Sequence, residues 1–152
     1  MLTRLFDHMA WADDLARQEI ARMPEVTPQA ARALAIYAHL AASDDVWLSR
    51  IEGRAPRYPA WPALSFDEAT ALRRGAVARL REHAAASAQE LARVIAYRTS
   101  TGQPYQSSVG DILLHVAVHG AYHRGQLALL AREGEAEPIN TDYIRYVRET
   151  SG

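Results

Sequence analysis

The sequence predicts an all-α fold, one domain of packed helices running over residues 1–152. Three observations lead there. Apolar residues recur at helical spacing along four long segments. The segments begin and end at recognisable capping chemistry. A proline-rich connection between the second and third is long enough to carry the chain back along the helices it joins. A length of 152 residues with 49% hydrophobic residues and only 8 glycines allows a proper core.

The first segment repeats Leu2, Leu5, Phe6, Met9, Ala16, Ile20 and Met23, and Pro24 ends it. Asp13 projects into the middle of this apolar stripe. A bare carboxylate there would cost several kcal/mol, so it needs a hydrogen bond from a neighbouring helix or a role in orienting a metal-bound histidine. Trp11 and Leu15 lie on the opposite side, as an oligomer contact or part of a broad core face. Thr27 and Pro28 then read as N-cap and first helical residue of a helix that stops at Gly53. Its stripe is Ile36, Leu40, Trp47 and Ile51, with His39 beside it and Ser43 and Arg50 close to His39 on the wheel.

Arg54 to Leu64 holds three prolines and is not helical. The preceding helix is about 39 Å long and about a dozen extended residues reach about 40 Å, so the helices on either side of this linker can run parallel. Ser65 and Glu68 form a capping box for a third helix expected to reach about Val94. It contains His83, whose charged and alanine neighbours predict an exposed, inert side chain. Tyr97 to Ser107 breaks the helical period around Gly102 and Pro104 and predicts a short hairpin or extended loop. Ser107 or Ser108 caps the next helix, expected over Asp111 to Glu133, and a short final helix is expected over Asp142 to Glu149.

That fourth helix carries His115, His119 and His123 at four-residue intervals. Each step turns the side chain by only about 40°, so the imidazoles climb one side of one rod. His123 falls within the apolar stripe, His119 at its edge, and His115 toward the polar flank. Two histidines at this spacing can converge on one metal ion, or they are structural histidines; a third ligand from another helix decides between these. His39 is the candidate, though a lone histidine beside an apolar face is ordinarily a satisfied core residue. Arg50, ordinarily a solvated charge, could hold an anionic substrate group if it lies beside a metal.

Composition narrows the chemistry. Seventeen arginines and no lysine face eighteen carboxylates, so nothing indicates a nucleic-acid or membrane surface. The absence of cysteine removes disulfides, thiolate zinc sites, iron–sulfur clusters and cysteine nucleophiles, so any metal must rest on His, Asp or Glu. With no apolar run long enough to span a bilayer and no signal peptide, the expected location is cytoplasmic.

The motifs HVAVHGAYHRGQ, FDHMAWAD, HLAASDDVWLSRIEG and INTDYIRYV together resemble the DinB-like (DinB/YfiT) metal-binding helical bundles, in order and over nearly the whole chain. The resemblance implies a four-helix bundle with a long crossover between helices 2 and 3, running up-down-down-up. It implies one divalent metal, zinc or nickel foremost, on three histidines that match His39, His119 and His123, and a homodimer. His115 is similar to a frequent family histidine outside the usual three. Asp13 stands where relatives often have asparagine. Relatives with assigned activities are mainly transferases and isomerases using low-molecular-weight thiols, so a metal-dependent thiol S-transferase acting on a small molecule is the leading expectation. His115, Asp13, Arg50 and Trp47 are the candidates for supporting the metal or touching substrate, with Asp13 and Arg50 also the candidate catalytic groups.

Three neutral imidazoles leave a metal its full charge and an open position. A metal-water hydrolase using Asp13 or a tyrosine as proton carrier, or a non-catalytic metal-binding stress or sensor protein, are the alternatives. No glutamate lies between His119 and His123, so the zincin motif is not met. No Glu-x-x-His occurs for a di-iron bundle, and no cysteine ligands exist for a nucleobase deaminase.

Overall fold

A computed structural model describes residues 1–24 and 26–150. The elements are α1 (Leu2–Arg22), α2 (Pro28–Glu52), α3 (Phe66–Ala84), α4 (Ala88–Leu91), β1 (Val94–Arg98), β2 (Pro104–Ser108), α5 (Val109–Glu133) and α6 (Tyr143–Thr150). The ends follow local chemistry. Met23, preceding Pro24, is forced extended at φ −68°, ψ 140°. Thr27 Oγ1 accepts from Ala30 N at 3.2 Å, and Gly53 closes α2 at φ 68°, a left-handed conformation that favours glycine. The Ser65–Glu68 capping box opens α3, and Ser108 caps α5 through Asp111 N at 3.0 Å.

One boundary departs from expectation: α3 stops at Ala84 rather than near Val94. Its alanine-rich end has the propensity to continue, but Ser87 Oγ accepts from Glu90 N and starts the separate turn α4. Val94 to Arg98 are meanwhile drawn into an antiparallel pair with β2, Tyr97 opposite Tyr105. The expected hairpin is therefore present and begins earlier. His83 is not fully exposed: it is half-buried, its Nε2 3.5 Å from Glu52.

Ion pairs and ring contacts give the direction of each helix. Asp7–Arg81 and Asp14–Arg74 run α1 antiparallel to α3, while Asp44–Arg73 and Glu52–Arg79 run α2 parallel to α3. Arg32–Glu133 and Trp47–His115 run α2 antiparallel to α5. The result is an up-down-down-up four-helix bundle in which α1 faces α2 diagonally. The α6 helix docks on α1 through His8, Trp11, Tyr143 and Tyr146, with His8 Nε2 donating to the Thr141 carbonyl at 2.8 Å. Trp11 is thus covered within the chain. Among the described residues no helix is long and apolar enough to cross a membrane.

The core has two apolar halves. Phe6, Met9, Leu48, Leu80 and Leu113 fill one, and Ile20, Tyr37, Leu72, Leu127 and Leu130 the other. Between them in sequence on each of the four long helices lies a charge: Asp13 on α1, Asp44 on α2, Arg73 on α3 and Arg124 on α5. Arg73 donates to both oxygens of Asp13 at 2.7 and 2.9 Å and to Asp44 at 2.8 Å, and Arg124 donates to Asp13 at 3.1 Å. Gly120 makes room for this layer, since a Cβ there would stand 3.1 Å from Arg124 Nη1.

Candidate metal centre

His39 on α2 faces His119 and His123 on α5 across the antiparallel seam. One ring nitrogen from each lies within 4.8 Å of the other two. His119 Nε2 and His123 Nε2 are 3.1 Å apart, close to the roughly 3.3 Å expected between two imidazole nitrogens on one tetrahedral zinc ion. His123 is buried, His119 half-buried and His115 exposed, the ranking the helical wheel gives.

Two rings are turned so that Nε2 is the acceptor atom facing the group. His39 Nδ1 lies 2.6 Å from the Ala60 carbonyl, which can only accept, so Nδ1 carries the proton and Nε2 a lone pair. His123 Nδ1 does the same toward Gln126 Oε1 at 2.7 Å. Such bonds fix tautomer and orientation in metal-ligating histidines. His119 Nδ1 is buried without a partner among the described residues. Burial lowers the pKa of His39, and burial with the neighbouring His123 and His115 lowers that of His119 to about 4. These rings are therefore neutral donors at neutral pH. The donor set fits a divalent ion with imidazole affinity.

The crossover takes part in the site. Trp61 stacks flat on His39, with centroids 3.8 Å apart and planes 9° from parallel. The segment is anchored by buried Asp45, which accepts from Arg54 Nη2 and from Arg57 N, both at 2.7 Å. Ala60, Trp61 and Asp45 were missed from sequence, because nothing local says where a linker comes to rest. Gln126 was also missed, although its position one turn beyond His123 was a usable signal.

The remaining candidates separate. His115 stacks on His119 at 5.4 Å and meets Trp47 edge-on at 4.8 Å, beside the trio rather than in it. Arg50 sits over Trp47 at 4.2 Å and Tyr97 at 4.4 Å, further along the same seam. Asp13 is placed elsewhere: both its oxygens accept from Arg73 and Arg124 in the charge layer, and it makes no hydrogen bond to the three histidines. Its position in the apolar stripe is explained by that pairing.

No curated protein matches the chain. The model of the DinB family matches residues 1–151. That match spans nearly the whole chain, and the chain belongs to the DinB family.

Proposed function

We propose that this chain holds one divalent metal ion, zinc or nickel, on His39, His119 and His123 and transfers a low-molecular-weight thiol to an electrophilic small molecule. The observation that carries the reading is the convergence of three imidazole nitrogens from two helices, with the far nitrogens of His39 and His123 tied back by Ala60 and Gln126. A divalent ion on such a set supplies a Lewis acid that makes a thiol or water acidic near neutral pH. The other roles fall to the chain. Trp61 shields the His39 ring from water on one face. His115, held against Trp47 and His119 beside the centre, takes the proton that the thiol gives up as its sulfur bonds to the electrophile. The proton then returns to the group that leaves.

Ala60 and Trp47, which touch His39 and His115, line an open groove that runs to Arg50 and gives a substrate room that a non-catalytic metal binder would not need. Homodimer formation is part of the same reading, supported by the exposed apolar residues Leu114, Val118, Tyr122 and Leu129 along the outer side of α5. The test is elemental analysis of purified, untagged protein beside His39→Ala and His119→Ala. About one divalent metal per chain is expected, lost in both variants, followed by metal-dependent consumption of a thiol with an electrophile. Metal retained in both variants would sink the site; ester cleavage without thiol consumption would make the protein a hydrolase.

A further inference from the structure

Next to the histidines, α2, the crossover and the hairpin enclose a pocket of about 630 Å³, within the range that takes small ligands. Trp47, Tyr58, Tyr97 and Tyr105 give it flat walls, and its charged residues are Arg50 and Arg98, with no carboxylate in the lining. Arg50 is unusual among the sheltered cations. Arg54, Arg73 and Arg124 each meet a carboxylate, whereas Arg50 has the Arg98 carbonyl at 3.2 Å and two aromatic faces. A guanidinium carries five N–H donors, so most of its donors face the pocket or solvent. The stacking rings hold it in one orientation and deprive it of water, which strengthens its attraction for an anion.

We propose that this pocket is an anion-anchoring site for an elongated ligand with a flat body and a carboxylate end, which Arg50 grips. Arg50 matches a carboxylate because its stacked guanidinium presents a planar fork of donors that no carboxylate among the described residues occupies. The pocket leads to the metal centre along its wall: Ala60, which lines it, orients His39, and Trp47 touches His115, which stacks on His119. On α2, Arg50 follows His39 on nearly the same side and about 16 Å along the axis. The anchored charge is therefore remote from the reacting end, where binding energy can position the ligand for reaction. The placement of that reacting end rests on the metal-centre reading; the anion site itself does not.

The test is calorimetric titration of the full chain, as purified and after metal removal, with 2-naphthoate and its neutral partner 2-naphthamide. Wild type is expected to prefer the carboxylate by about tenfold or more, with or without metal. Arg50→Gln should lose that preference while keeping the wild-type metal content, and Tyr105→Ala, an exposed change on the hairpin, should weaken both probes alike. Equal affinity of the two probes for wild type, no binding of either, or a preference that survives in Arg50→Gln would each overturn the proposal. Carboxylate preference in a protein that takes up no metal would overturn the metal centre and leave the anion site standing.

Discussion

Two of the polar clusters buried in this bundle are built on opposite rules. In the charge layer, Asp13 and Asp44 face Arg73 and Arg124, and the bonds among them run from 2.7 to 3.1 Å. Negative meets positive across all four long helices, and among the described residues only Asp44 Oδ1 and Arg124 Nε of the layer are buried without a partner. In the histidine cluster, three bases of one kind turn ring nitrogens toward a common point, and the outer nitrogens of His39 and His123 are tied back by Ala60 and Gln126. Nothing within that group supplies the positive charge that would satisfy it. Burial alone therefore does not mark a functional site; a buried set of like bases with no opposite charge among them does.

The comparison can be broken most forcefully at Arg73. Arg73→Met leaves two buried carboxylates short of a partner and should cost about 3–5 kcal/mol, read from urea unfolding, while the metal-free protein with His123→Gln should lose about 1 kcal/mol or less. Equal losses would mean that the histidines hold the fold as the charges do. A smaller effect is expected at Gln126. Gln126→Leu frees the His123 ring and should weaken zinc binding by about 10- to 100-fold, measured by competition with a chelator, with little change in the melting of the metal-free protein.

The smallest effect is in pH. His119 has its folded-state pKa lowered to about 4 from an ordinary 6.5, so between those values the unfolded chain binds the extra proton. Stability is present above 6.5 and lost as pH falls toward 4. Metal-free wild type should lose about 1–2 kcal/mol relative to His119→Gln over that window, allowing for the solvent access of the ring. A constant difference across pH would show that the imidazole is not held neutral by its surroundings.

Most helix ends were readable because their causes are local: Thr27 with Pro28, Ser65 with Glu68, Gly53 after the last turn. The order His123, His119, His115 from buried to exposed was readable from the periodicity of one helix. His39 needed more, since a wheel places it near a stripe but cannot say which helix the stripe meets; the resemblance supplied that. Asp13 announced itself as a misfit, yet its partner lies sixty residues away on α3, and no local rule reaches so far. The end of α3 was misjudged for the same reason, because the strand that replaces its last turns is stabilised by a partner beyond Gly102. The crossover was legible as a spacer and illegible as part of the site, since Asp45 decides where it lies.

The bond from His39 to the Ala60 carbonyl has a consequence for how this site tolerates change. The acceptor is main chain, so many residue types at position 60 leave it in place. Removing or adding one residue between the Asp45 anchor at Arg57 and Trp61 would instead slide a different peptide group under the ring and carry the indole off its face. Over this stretch the site records the length of the chain more strictly than its letters, and related sequences that keep the site should vary there by substitution and rarely by insertion or deletion.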